Sequence, residues 1–332
     1  MYEFDTELSE AALEVGERLR GVDLVSHGML KLADAVSLDF HVSVLRRMKA
    51  DGFFIDNGSP PEAVLRVEDD RVVGSDGHKI RIRIYTPEIR RDCTILLAHG
   101  GGWVAGSIET HDALARKMAN AWGAPVISVG YRLSPEYKFP IPLNDLLEVY
   151  LWRHKNGHPR VVLCGDSVGG NLCAALGLKL ADINYPRPPV AQILFYPVLS
   201  GDLHSKSFDV FGRGYGLTTE WTKNYIYQYT GAEYDDPRFS GNKFVYPLLE
   251  ENAAVFPKTA LISAAADVLL DAQLEFAKKL KNANVLVYHE ILKGSVHGFI
   301  TYGKHFAKEV AKVLAVIGSL DALFQDTSPE AA

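Results

Sequence analysis

Val161-Val162-Leu163-Cys164-Gly165-Asp166-Ser167-Val168-Gly169 runs straight into Gly170-Asn171-Leu172-Cys173-Ala174-Ala175-Leu176, and this stretch decides the fold. An apolar run, a serine between glycines and a helix-like run give the order strand, sharp turn, helix. A serine at the tip of such a turn is held in a strained backbone conformation with its hydroxyl exposed. The flanking Gly165 and Gly169 leave room where a Cβ would collide with neighbouring backbone. This is the geometry of a nucleophile elbow. The five letters alone are a weak signal, because any glycine-rich turn can carry them.

The upstream sequence makes the signal specific. His99-Gly100-Gly101-Gly102-Trp103 follows a second apolar run, Ile95-Leu96-Leu97-Ala98, and such a loop offers backbone N–H groups to an oxyanion. Around these two motifs the chain alternates short apolar strands with helices. Strands are expected at 95–98, 126–129, 161–164, 190–195, 260–263 and 285–291, with helices near 111–122, 143–154, from the elbow onward, 272–283 and 302–324. Alternation of this kind implies a mainly parallel sheet covered on both faces. Ahead of it, Leu65 and Val67, then Ile80, Ile82 and Ile84, alternate with polar residues around Ser75-Asp76-Gly77, the pattern of an antiparallel hairpin.

Two segments fall outside this rhythm. Leu8, Ala12, Val15 and Leu19 share one helical face, and Leu38, Val42, Leu45 and Met48 another, so the first fifty residues read as helices able to lie over the sheet. Between Pro197 and Pro257 no strand pattern occurs, yet aromatics are dense; a structureless loop of that length is improbable in a compact domain, so a helical insertion is expected.

Composition excludes several classes. With 332 residues and 47% hydrophobic content the chain can bury a large core. A formal net charge of −6, with no Lys/Arg cluster among aromatics, argues against a nucleic-acid partner. No apolar run reaches the roughly 18 residues of a membrane span, and Met1-Tyr2-Glu3-Phe4-Asp5 lacks a signal-peptide pattern, so a cytoplasmic protein without stable membrane insertion is expected. Cys93, Cys164 and Cys173 have neither metal-ligand spacing nor the even number of a disulfide framework, and the latter two read as small buried hydrophobes.

A serine attacks a carbonyl when a base takes its proton, and the base is usually a histidine oriented by a carboxylate. Of 11 histidines, His297 lies in a loop just after a strand, where functional groups of an open parallel sheet gather. His289 falls within that strand, His305 on the following helix, His111 at a helix start, and His99 in the glycine loop, which it would brace by hydrogen bonding. For the carboxylate, Asp267 sits at the end of the run from Ala260, whereas its competitor Asp271 fits a helix N-cap better. Asp166, although next to the serine, reads as a scaffold group.

The order Ser167, Asp267, His297 is that of α/β-hydrolases. Together with His99-Gly100-Gly101-Gly102-Trp103, Tyr131-Arg132-Leu133-Ser134-Pro135-Glu136 and His297-Gly298-Phe299, it resembles the hormone-sensitive-lipase-like branch of that fold, over roughly residues 80 to 320. The resemblance implies an α/β-hydrolase fold: a mainly parallel eight-stranded sheet flanked by helices, with a helical cap. It divides the chain into the N-terminal part of the cap (1–55), the first part of the core (56–199), the cap insertion (200–250), the second part of the core (251–325) and a disordered tail (326–332). It also implies an oxyanion hole from Gly101, Gly102 and the N–H of Val168, a position where the family commonly has alanine. Glu136 and Asp145 match positions that brace the core. Trp103 is either a wall of the substrate pocket or a packed core indole.

The activity so implied is hydrolysis of carboxylic esters, with short acyl chains favoured, on a small-molecule ester, with no cofactor or metal. An amidase or a deacetylase of acylated metabolites would use the same groups. Similar plant hormone receptors lack the catalytic histidine, which this chain retains at 297. Similar bacterial esterases often form homodimers.

Overall fold

The computed structural model describes residues 12–13, 61–157, 160–302 and 305–323. Eight strands form one sheet: β1 (Arg66–Val73), β2 (Lys79–Thr86), β3 (Thr94–Ala98), β4 (Val126–Gly130), β5 (Val161–Asp166), β6 (Ala191–Phe195), β7 (Lys258–Ala266) and β8 (Leu286–Val296). Their order is β1-β2-β4-β3-β5-β6-β7-β8. β2 pairs antiparallel with β1 and β4, and every other pairing is parallel. Each residue of β3, β5 and β6 is buried, which is why these strands read as unbroken apolar runs.

The hairpin forms with the expected turn, where Gly77 donates to the Gly74 carbonyl at 3.0 Å. Its outer strand differs from expectation. Only Val72 of β1 is buried, while Leu65 and Val67 stay exposed, because β1 is an edge strand that no described helix covers at that end.

Among the described residues, helices α1 (Asp112–Trp122), α2 (Ile141–Lys155), α3 (Val168–Asp182), α4 (Lys206–Phe211), α5 (Thr219–Thr230), α6 (Pro237–Ser240), α7 (Leu270–Asn282) and α8 (Ala307–Gly318) accompany the sheet. α1 packs on α8, where the Trp122 indole donates to the Leu314 carbonyl at 3.0 Å, and α2 packs on α3. The last helix is shorter than its apolar pattern suggests. A 3-10 turn at Phe299–Thr301 and a turn holding His305 precede it, and a further 3-10 turn at Asp321–Leu323 follows it. The left-handed backbone at Gly298, φ 87°, starts this sequence of turns and delays the helix, so His305 is not helical.

The stretch between β6 and β7 is helical, carrying α4, α5 and α6. α5 starts where the Thr218 hydroxyl accepts the Trp221 N–H at 3.2 Å and ends at Gly231, φ 75°, an N-cap and a left-handed terminus of the expected kinds. At the base of this stretch the Asn171 side-chain amide of α3 donates to the carbonyls of Val198 and Val245, each at 2.9 Å. Apart from Ala12 and Leu13, the N-terminal cap segment lies outside the described residues, as does the 326–332 tail.

Candidate active site

Ser167 sits between β5 and α3 with φ 55° and ψ −119°, a region that a residue with a Cβ rarely occupies. Backbone contacts hold it there. Its N–H donates to the Phe195 carbonyl at 2.9 Å, and its own carbonyl accepts from Asn171 and Val198. A Cβ on Gly169 would overlap the Ala98 carbonyl, so the turn can press against β3 only with glycine at that place.

β7 and β8 extend further than their apolar runs, to Ala266 and Val296, which pair with each other. Asp267 and His297 therefore emerge from neighbouring strand ends. The structure brings both to the serine: His297 Nε2 lies 2.9 Å from Ser167 Oγ, and His297 Nδ1 lies 2.8 Å from Asp267 Oδ2. Asp267 is buried, and its other oxygen accepts the Leu269 N–H at 3.1 Å, which fixes the carboxylate against rotation. The Tyr196 ring packs beside the imidazole, 4.8 Å between centroids. Asp271 is not an N-cap. It lies inside the first turn of α7, after the N-cap Leu269, and accepts the Ser207 N–H of α4 at 2.8 Å, tying the inserted helices to the core.

The glycine loop folds through three successive positive φ values, 130° at Gly101, 65° at Gly102 and 60° at Trp103. The Gly101 carbonyl accepts from Ala105 at 2.9 Å, closing a tight turn, while the N–H groups of Gly101 and Gly102 make no hydrogen bond among the described residues. The N–H of Val168, first residue of α3, lacks an intrahelical acceptor by position. All three residues line the same cavity as Ser167. Trp103 lines it as well, but its buried indole stacks on Tyr229, with centroids 4.2 Å apart and planes 1° from parallel. A left-handed non-glycine residue costs roughly 1–2 kcal/mol. An aromatic pair contributes about 0.5–1.5 kcal/mol, so the stack offsets much of that strain.

Behind the loop lies a buried hydrogen-bonded pair that spacing did not disclose. Asp166 Oδ1 accepts the Gly100 N–H at 2.8 Å and meets His111 Nε2 at 3.0 Å. Burial pushes the Asp166 carboxyl up, yet the His111 charge and hydrogen bond and the Gly100 N–H outweigh it and hold it below the usual carboxylate range. The pair joins residues 55 positions apart, so no local pattern could have signalled it. His99 braces the loop as expected, its ring stacked on Tyr131 at 4.3 Å while Tyr131 donates to the His99 carbonyl. Asp145 is buried and bound by Arg132 through both guanidinium and backbone, a bracing position.

The cavity over Ser167 measures about 120 Å³. Its floor is Ser167, Val168, His297 and the glycine loop; its roof comes from Leu217 and from Trp221, Tyr225 and Ile226 of α5. Among the described residues no group of three or more His, Cys, Asp or Glu side chains is placed to hold a metal ion, and no helix is long and apolar enough to cross a membrane.

Residues 95–301 match a family model described as alpha/beta hydrolase fold. This chain belongs to the α/β-hydrolase fold family. Within that family it is 31% identical to an ethyl acetate hydrolase of Pseudomonas putida, over 76% of this chain and 82% of the other. It is 33% identical to an arylesterase of Saccharolobus solfataricus, over 73% and 79% of the two chains. Among solved structures, the α/β-hydrolase superimposes on a Pyrobaculum calidifontis esterase with a TM-score of 0.76 at 28% identity, covering 85% of this chain and 94% of that one.

Proposed function

We infer that the protein is a serine carboxylesterase. One observation carries the reading: a single imidazole, that of His297, bridges the Ser167 hydroxyl at 2.9 Å and the Asp267 carboxylate at 2.8 Å. In the first half-reaction Ser167 Oγ attacks the ester carbonyl while His297 Nε2 takes its proton, and Asp267 stabilises the resulting imidazolium through Nδ1. Charge that develops on the carbonyl oxygen meets the N–H groups of Gly101, Gly102 and Val168, which are preorganised and so cost no rearrangement as the reaction proceeds. His297 then returns the proton to the departing alcohol. In the second half the same nitrogen takes a proton from water as the water oxygen attacks the acyl carbon, then hands that proton to Ser167 Oγ as the acyl–oxygen bond breaks, releasing the acid and restoring the serine.

The substrate is a small ester with a short acyl chain. A cavity of about 120 Å³ under an aromatic roof supports this choice, as do the names of relatives that act on ethyl acetate and aryl esters. The buried free thiols Cys93, Cys164 and Cys173 suit a reducing, cytoplasmic setting, and a homodimer is the proposed assembly, to be checked by light scattering. The decisive experiment is a panel of p-nitrophenyl esters of increasing length, with an anilide, run on the native protein and on Ser167→Ala alongside fluorophosphonate labelling. Rapid acetate or butyrate turnover and labelling, both lost in the variant, are expected. Turnover that persists in Ser167→Ala would falsify the assignment.

A further inference from the structure

Trp221, Tyr225 and Tyr229 are spaced by four and therefore form one stripe on α5. Each of them rests on the glycine loop. Trp221 and Tyr225 pack on the buried pair Val104 and Ala105. The Tyr225 ring occupies the place that a Cβ of Gly102 would take, so this contact requires glycine at 102, which also adopts its φ of 65° without strain. Tyr229 stacks on Trp103. A strap from the core closes the arrangement: the Ser134 N–H donates to the Trp103 carbonyl at 2.9 Å, and the Phe139 N–H donates to the Tyr229 carbonyl at 2.8 Å.

The loop does not hold this shape by its own bonds alone. From Gly101 to Trp103 it runs through three left-handed residues, and its internal ties include the bonds of Val104 and Ala105 to the Gly101 carbonyl and that of His99 Nδ1 with the Gly100 carbonyl. Gly100 is anchored to Asp166 on the core side, but the donors at 101 and 102 lie beyond that anchor, with Gly101 packed against the Ala105 carbonyl and Gly102 under Tyr225 of α5.

We propose that α5 clamps the glycine loop, and that Tyr225 is a positioning residue that holds the Gly101 and Gly102 N–H groups where the oxyanion forms. The roof of the cavity then governs the rate of the chemistry as well as the choice of substrate. The proposal rests on the reading of Ser167 as an ester nucleophile. A donor displaced from the developing charge weakens the transition state and leaves ground-state binding untouched, so the loss belongs in kcat.

The test uses the full chain with Tyr225→Ala, Tyr225→Leu, Tyr225→Phe and, as control, Tyr227→Ala on the exposed side of the same helix. For p-nitrophenyl acetate, Tyr225→Ala and Tyr225→Leu are expected to lower kcat about 10- to 100-fold, a fraction of what deleting an oxyanion donor costs, with KM within about threefold. Tyr225→Phe recovers most of kcat, and Tyr227→Ala keeps the native rate. Amide hydrogen exchange across residues 100–105 provides a readout independent of turnover. It should quicken in Tyr225→Ala and Tyr225→Leu and stay unchanged in Tyr227→Ala, with melting curves confirming that the variants are folded. Unchanged loop exchange overturns the clamp. So does a kcat retained within twofold while longer acyl esters react faster, because the ring would then be only a wall. A native protein inert toward every ester would instead remove the hydrolase reading, and the exchange data would still judge the clamp.

Discussion

The floor and the roof of the cavity are built by different means. Ser167, Asp267 and His297 stand at the ends of β5, β7 and β8, each strand paired on the sheet and each residue fixed by hydrogen bonds. The roof hangs on an inserted helix held largely by rings, Trp103 on Tyr229, Tyr225 on Gly102 and Phe139 edge-on to Tyr229 at 5.7 Å, beside the backbone bond from the Phe139 N–H to the Tyr229 carbonyl. Backbone lattices tolerate almost no displacement, whereas ring contacts can repack at modest cost. The nucleophile, base and acid are therefore placed where geometry is over-determined, while the roof, which clamps the oxyanion loop and meets the substrate, rests on contacts that side-chain changes can alter without undoing the fold.

Substitutions can separate the two. The largest effect belongs to the floor: Ser167→Ala should cut kcat by at least about 10⁴-fold while leaving the thermal midpoint near the native value, since it deletes one hydroxyl. Asp267→Asn follows, with about a 10⁴-fold loss expected from the wrong imidazole tautomer; a loss under tenfold in steady-state assays would show that the carboxylate does not orient His297. Next comes His111→Phe, which removes the imidazole partner of the buried Asp166 and leaves the Gly100 N–H bound to it. Urea melts should lose about 3–5 kcal/mol, and undiminished stability would mean that the pair does not brace the loop.

The roof responds on a smaller scale. Ile226→Ala should raise the ratio of kcat/KM for hexanoate over acetate about tenfold, the discrimination expected from a changed apolar pocket; an unchanged ratio would place the acyl chain elsewhere. Smallest is an effect remote from both surfaces. His154 at the end of α2 is buried with neither ring nitrogen hydrogen-bonded among the described residues, and burial first, then the charges of Arg187 and Arg153, hold its pKa down to about 4. An unfolded histidine titrates near 6.5, so protonation favours the unfolded chain. The stability this neutral ring contributes is complete above about pH 6.5 and falls away as the pH drops toward 4. His154→Phe should flatten that decline in denaturation midpoints measured between pH 7 and pH 4.5; an equal decline in both proteins would assign the acid sensitivity to other groups.

What could be read from the sequence follows the same division. The elbow, the glycine loop and the chain order of Ser167, Asp267 and His297 are local or ordinal signals, because strand ends in a parallel sheet collect functional groups along one edge. β7 and β8 run past their apolar patterns because Ala264–Ala266 and Leu292–Val296 carry little periodicity. The continuous helix expected over 302–324 failed because apolar spacing cannot sense the left-handed turn at Gly298. Aromatic density announced the inserted helices, but not that Tyr225 would settle on Gly102, a contact across more than a hundred residues. The His111 and Asp166 pair was hidden for the same reason: both letters have local explanations, and only the folded chain makes them partners.

The Asn171 amide gives the insertion an unusual mooring. One side chain, on the helix that begins at the nucleophile, grips the chain near where it leaves the sheet, at Val198, and again near its return, at Val245. Swinging the entire overhang aside would strain both knots and tug on the elbow itself. The foot of the insertion is therefore fastened to the catalytic helix at two points, so a change in the overhang that spares the elbow is confined to the turns farther from Asn171.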